Sequence, residues 1–173
     1  MDRLDMLLEA VKLKALPRAG WVRKGVPAPE TVASHSWGVA WLVLAVAPEG
    51  IDLAKALAYA TLHDLAEVRV GDLTPVDPVS REEKSRREHE AISEMTRALG
   101  RPQLAALWDA FENGADPEAR LVRELDKLDM AIQALAHHEA GRPGMREFFA
   151  SADRAITDPA LRPWMEAIGR RMV

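Results

Sequence analysis

Between Thr61 and Asp72 the chain reads TLHDLAEVRVGD, so that His63, Asp64, Glu67 and Asp72 follow directly on an alanine-rich apolar run. Read as one helix, this segment sets Glu67 one turn beyond His63 and Asp64, and the three side chains share a side at the helix's carboxyl end. An imidazole beside a carboxylate is half a site for a divalent cation, and a second carboxylate one turn on can handle protons. A His-Asp pair also occurs as a plain hydrogen bond at a helix end, and short motifs constrain chemistry loosely. The remaining ligands of a metal site have to come from elsewhere in the chain.

The composition narrows what that site could be. There is no cysteine, which excludes disulfides and thiolate ligands and leaves His, Asp and Glu to hold any metal. Such donors suit a hard or borderline divalent cation, with manganese, cobalt, magnesium and zinc all open. A formal net charge of -4 argues against nucleic acid or an anionic membrane surface as partner, since both require positive charge facing phosphate. Basic residues cluster from Arg81 to Arg87, but Glu82, Glu83 and Glu88 are interleaved with them. That run reads as a solvated helix face carrying ion pairs. The longest apolar stretch, VAWLVLAVA from Val39 to Ala47, falls far short of the roughly 20 residues of a membrane span. The amino terminus, MDRLDMLLEAVKLK, interleaves acids with its apolar residues, unlike a secretory signal, and a cytoplasmic location is expected.

The elements that must position these residues read as helices throughout. With 173 residues, one domain spanning residues 1–173 is expected, with its core in about residues 10–140 and a helical carboxyl-terminal segment at 141–173. A first helix of about four turns is expected to end before Pro17. A loop punctuated by Gly and Pro follows, from Pro17 to Pro29, carrying Arg18, Trp21, Arg23 and Lys24. Cations and an indole on a loop could grip a flat anionic ligand; alternatively Trp21 folds back as a hydrophobic plug, the reading the residue type favours. The next helix, from Glu30-Thr31 to about Ala47, carries His35 among apolar and small residues. Asp52 caps the helix that leads into His63 and Asp64. A turn-rich loop, GDLTPVDPV, runs out of the cluster, and Ser80 with Glu83 fits a capping box for a long polar helix ended by Gly100. His89 reads there as solvated. Pro102 starts a further helix. Asp116 and Pro117 cap the last long helix, to about Glu139, whose apolar residues cover most of its circumference. On this central helix Asp126 and Asp129 both sit among apolar neighbours, where a carboxylate requires a partner, a cation or a proton; helical spacing does not choose between them. His137 and His138 read as helix-end residues suited to the dipole.

The ordered set His35, His63-Asp64, Asp126 resembles the H...HD...D signature of HD-domain metal-dependent phosphohydrolases. More closely, ETVASHSWGVA, LHDLAEVRVGDLTP, LVRELDKLD and the preceding LPRAGWVRKGVPAPE resemble in order and spacing the blocks of HD-domain 5'-deoxynucleotidases. The likeness covers most of residues 10–140. It implies an all-α, single HD-domain helical bundle with the metal site between central helices. His35, His63, Asp64 and Asp126 would be the protein ligands of one divalent cation. Glu67 would be the catalytic glutamate and Asp72 the acid that positions water and contacts the sugar; these two, with the backbone of Leu73, would also touch a possible second cation. Arg18 would orient the phosphate, while Trp21, Asp72, Leu73, Thr74 and Pro75 would contact the nucleotide. The implied reaction is hydrolysis of a deoxyribonucleoside 5'-monophosphate, in which a cation activates water and neutralises phosphate charge and Arg18 supplies a bidentate grip. The alternatives are an HD phosphodiesterase or dNTP triphosphohydrolase, and a non-enzymatic helical interaction module with a structural metal. A homodimer is implied by the family and by the apolar carboxyl-terminal segment.

Overall fold

A computed structural model describes residues 2–173. Among them the regular elements are all helical, and the nearest thing to a strand is an isolated antiparallel pairing of Pro17 with Thr31. The helices are α1 (Arg3–Val11), α2 (Ala19–Arg23), α3 (Val32–Val46), α4 (Leu53–Leu62), α5 (Glu67–Val70), α6 (Arg81–Ala98), α7 (Gln103–Glu112), α8 (Pro117–Glu139), α9 (Arg146–Ala155) and α10 (Arg162–Arg171). The start signals in the sequence act as caps. Asp2, Thr31, Asp52, Ser80 and Asp116 each accept a hydrogen bond from a backbone N–H in the first turn of α1, α3, α4, α6 and α8, satisfying donors that the helix leaves without partners. At Ser80 only this half of the expected capping box is made.

Three readings change. The first helix ends at Val11 and continues as a tighter 3-10 turn, Lys12–Ala15, because Pro17 forces Leu16 into extended backbone. The Pro17–Pro29 loop contains the short helix α2. Thr61 to Asp72 is broken: α4 ends at Leu62, hydrogen bonds such as Glu67 N–H to the Asp64 carbonyl (3.0 Å) tighten the next residues into turns, and α5 is only one turn long. The carbonyl of His63, which a continuous helix would give to Glu67, accepts instead from the Trp108 indole N–H on α7 at 3.1 Å.

The core lies where α3, α4 and α8 meet, with α9 and α10 laid against α8. Small buried residues at the crossings, among them Ala56, Ala60, Ala131 and Ala134, let the helix backbones approach closely, while Val39, Val43, Tyr59, Val122 and Leu125 fill between them. Burying each of the larger side chains is worth about 1.5–3 kcal/mol. Of the carboxyl-terminal apolar residues, Leu161, Met165 and Ile168 are buried in the same core, while Trp164 is 50% exposed. Among the described residues no helix is long and apolar enough to cross a membrane.

Candidate metal centre

Four side chains from three places in the chain converge at the α3–α4–α8 junction. His35 comes from the first turns of α3, His63 and Asp64 from the end of α4, and Asp126 from the middle of α8. The Nε2 atoms of His35 and His63 are 3.5 Å apart. An Asp64 oxygen lies 3.2 Å from His63 Nε2 and 3.7 Å from His35 Nε2, and an Asp126 oxygen lies 3.1 Å from His35 Nε2. Ligand bonds of about 2.1 Å would put neighbouring donors about 3–3.5 Å apart, so this spacing fits one divalent cation.

The backs of the two rings decide what their fronts can do. His63 Nδ1–H donates to the Ala60 carbonyl at 2.9 Å, and His35 Nδ1 lies 2.7 Å from an Asp129 oxygen. Both outer nitrogens are therefore spent on acceptors, and the inner nitrogens turn toward each other in a buried pocket, where His35 is fully buried and His63 nearly so. Such second partners fix tautomer and ring orientation in metal sites. The two aspartates left open by spacing take different places: Asp126 faces the cluster, while Asp129 stands behind the His35 ring. A further grouping of Glu30, His35 and Asp129 could also hold a metal through Nδ1. Glu30, however, accepts from the Trp21 indole N–H at 2.8 Å and Asp129 is given to His35, so these carboxylates serve as supports.

The charge states follow from the crowding. Burial and Arg18 press against a proton on His35, yet the bonds to Asp126 and Asp129 outweigh them and raise it to about 9. Burial opposes ionisation of Asp64 and Asp126 too, but His63, Arg18 and His35 around the first, and Lys127, His35 and His63 around the second, hold both below the ordinary carboxylate range. Two ionised carboxylates and a readily protonated imidazole form a cavity that prefers a positive charge.

Around this centre the loops supply the rest. Pro17 and Thr31 pair at the base of the first loop through Arg18 N–H to the Glu30 carbonyl (2.9 Å) and Val32 N–H to the Leu16 carbonyl (2.8 Å). This sends Arg18 over the cluster, 3.4 Å from Asp64 and 3.6 Å from Asp72. Asp72 also accepts from Ala19 N–H at 2.7 Å, so it ties the start of α2 to the cluster. Glu67 is 3% exposed. Burial first, then Asp64 and Asp72, push its carboxyl far above the ordinary range, and its Oε2 is buried without a hydrogen-bond partner. An orphaned carboxyl oxygen beside converging ligands is what a site built for a further group would leave. Leu73 and Thr74 are partly exposed and Pro75 is exposed. Asp77 fastens their loop, accepting from Thr74 N–H (2.7 Å) and hydroxyl (2.9 Å) and pairing with Arg23. Trp21 is 2% exposed, its ring against Phe148 and His137. The indole is thus a plug beneath the loop and presents no open stacking face. His137 likewise departs from a helix-end cation, since burial lowers its affinity for a proton.

Lys84 was hidden in the Arg81–Arg87 run. Arg86 and Arg87 do pair with Glu83 on the solvated face, but Lys84 reaches inward, 3.8 Å from Glu67, 3.4 Å from the buried Glu88 and 3.5 Å from the Leu73 carbonyl. The signal was present: Lys84 and Glu88 continue backward, at helical spacing, the buried stripe Ala91, Ile92, Met95 of α6.

Comparison with known proteins agrees with this geometry. A family model for the HD domain matches residues 10–162. The zebrafish (Danio rerio) 5'-deoxynucleotidase HDDC2 is 38% identical over 165 residues, 92% of this chain and 82% of that protein. The 5'-deoxynucleotidase hdd1 of Schizosaccharomyces pombe is 31% identical, over 91% and 83%. Among solved structures, a conserved hypothetical protein from Pyrococcus furiosus superposes with a TM-score of 0.82 at 34% identity, covering 96% of this chain and 99% of that one. With its histidines and aspartates gathered at the crossing of α3, α4 and α8, the chain belongs to the HD domain family.

Proposed function

We propose that the chain is a 5'-deoxynucleotidase, hydrolysing deoxyribonucleoside 5'-monophosphates to deoxynucleoside and phosphate with a divalent cation held by His35, His63, Asp64 and Asp126. The observation that carries this reading is the pair of imidazoles whose outer nitrogens are spent on Ala60 and Asp129 and whose inner nitrogens face two ionised aspartates. The names of relatives that match most of the chain support the substrate class. A cation there would polarise a phosphoryl oxygen and lower the pKa of water.

The chain's own groups then divide the work. Arg18, kept charged by Asp64, Asp72 and further acids against the cost of its burial, offers its guanidinium fork to the phosphate. Asp72 holds Ala19 and Arg18 in place, which makes it an orienting acid. Glu67, carrying a proton because burial and two neighbouring aspartates disfavour its charge, can deliver that proton to the departing 5'-oxygen as water attacks phosphorus and the bridging P–O bond breaks, and a proton of the attacking water returns to Glu67, leaving deoxynucleoside and hydrogen phosphate. Leu73, Thr74 and Pro75 line the rim where a nucleoside would extend.

The test is phosphate release from a panel of deoxy- and ribonucleoside 5'-monophosphates, 3'-monophosphates, cyclic nucleotides and dNTPs, using metal-stripped protein resupplied with manganese, cobalt, magnesium or zinc. Release confined to deoxyribonucleoside 5'-monophosphates and lost in His63→Ala and Glu67→Gln is expected. Folded, cation-binding protein that releases nothing from any monophosphate would overturn the assignment.

A further inference from the structure

Beside Lys127, the neighbour of Asp126, lies a cavity of about 660 Å³, formed by the start of α6 (Arg81), the end of α7 with the turn after it (Glu112, Asn113, Gly114), the first half of α8 (Arg120, Arg123, Glu124, Lys127) and Ala155 at the end of α9. Its volume is in the range of small-molecule sites, about 300–1,000 Å³. None of the four proposed cation ligands lines it, and neither does Arg18.

The charges in this cavity run against those of the protein. Arg81, Arg120, Arg123 and Lys127 meet only Glu112 and Glu124, in a chain whose net charge is -4. Glu124 is already committed: its two oxygens accept from Thr157 N–H (3.0 Å), Thr157 hydroxyl (2.9 Å) and Asp158 N–H (2.8 Å). Among the described residues Arg81 pairs with no carboxylate.

Two of the guanidiniums are also fixed in place. Arg123 Nη1 donates to the carbonyls of Glu112 (2.5 Å) and Phe111 (3.5 Å), and its guanidinium carbon sits 5.9 Å from the centre of the Phe111 ring. Arg120 Nη1 donates to the Gly114 carbonyl at 3.2 Å. A guanidinium has five N–H donors, so each arginine is anchored through one nitrogen and keeps donors to spare. Lys127 spends one of its three on Asp126, at 2.9 Å. Anchored cations with unused donors lose little side-chain entropy on capturing an anion, and planar forks match phosphate oxygens. Four cations, Arg81 on α6 and Arg120, Arg123 and Lys127 on α8, exceed what a single phosphate can engage.

We propose that this cavity is a second anion site, separate from the metal centre, for a small ligand carrying two or more linked phosphates. Pyrophosphate and nucleoside triphosphates share that chemistry. The site touches the metal centre through one residue, Lys127, whose ammonium it would share with Asp126.

Calorimetric titration of metal-stripped Arg18→Ala protein tests this, because that variant lacks the cation expected to grip phosphate at the metal centre. Pyrophosphate and dATP are the probes. Pyrophosphate binding as tight as dATP would assign recognition to the phosphates alone, and tighter dATP would add the nucleoside to the ligand. Binding should persist in Arg18→Ala and weaken about tenfold or more when Arg81→Glu or Arg120→Ala is added. Arg81→Glu places an acid in the first turn of α6, where the helix dipole favours it, so loss of binding there is not loss of fold. Affinity that survives both additions, or that disappears with Arg18→Ala alone, overturns the proposal. Neither outcome depends on the nucleotidase activity.

Discussion

The two sides of the candidate metal centre are held in different ways. On the helix side, His35, His63 and Asp126 project from α3, α4 and α8, three helices that share one core, and the rings are locked from behind by Asp129 and the Ala60 carbonyl. On the loop side, Arg18, Asp72, Leu73, Thr74 and Pro75 belong to segments that, apart from Trp21 and Val26 in the core, are tied by polar contacts: Asp72 to Ala19 and Arg18, Asp77 to Thr74 and Arg23, Lys84 to Leu73. A metal requires donors placed within a few tenths of an ångström, which packed helices supply. A substrate that must enter and leave is served by segments that open at low cost. The rigid side should therefore govern cation affinity, and the loop side substrate affinity.

The largest effect should come from breaking the rigid side where no ligand is touched. Gly38 lies on α3 against α8, and a Cβ there would stand 2.2 Å from an Asp129 oxygen and 2.9 Å from its carboxyl carbon. Alanine suits a helix better than glycine by about 1 kcal/mol, but Asp129 would have to leave, and with it the 2.7 Å bond that holds the His35 ring. Gly38→Ala is expected to weaken cation binding about 10–100-fold while the substrate KM at saturating cation changes little. Calorimetric titration of the stripped protein with manganese measures the first quantity. Unchanged affinity would mean that Asp129 does not set the ring.

The second test uses protons in place of mutations. In the metal-free protein Asp126 and Asp129 lift His35 from the ordinary 6.5 to about 9. A proton bound more tightly in the folded state stabilises it fully below pH 6.5, and that contribution is lost as pH rises through about 9. Glu67, whose carboxyl is also raised, pulls in the same direction. The thermal midpoint of stripped protein should fall by several degrees across this window and fall less in His35→Gln, whereas added cation should stabilise more as pH rises, since it displaces the proton. A flat profile for the stripped wild type would contradict the placement of both aspartates around His35.

The helix side was also the side legible in sequence. Caps at Thr31, Asp52 and Asp116 fix where α3, α4 and α8 begin, and the residues assigned to the cation sit at helical registers that the apolar pattern already locates. What spacing could not give was the choice between Asp126 and Asp129, because both lie among apolar neighbours on α8 and only the position of α3 separates front from back. Lys84 was lost for another reason: seven residues of mixed charge read as a solvated face, and its inward turn appears only when α6 is traced back from Met95. Trp21 shows the limit on the loop side. Its loop could have presented it or buried it, and the choice rests with Phe148, far away in sequence.

The smallest effect, and the one that would most sharpen the contrast, is expected from Asp77→Ala. Asp77 touches none of the cluster. It accepts two hydrogen bonds from Thr74 and pairs with Arg23, joining the loop after α5 to the loop around α2. Losing this charged acceptor loosens the loop locally, and the loop is exposed enough to absorb the change without disturbing the core. KM for a deoxynucleoside monophosphate should rise about three- to tenfold, with kcat within about twofold and cation affinity unchanged. Steady-state kinetics beside a manganese titration read both sides together. If cation affinity falls along with substrate affinity, the loops and the helices are one mechanical unit and the division drawn between them fails. If KM alone moves, substrate recognition can drift in the loops while the metal centre stays as it is.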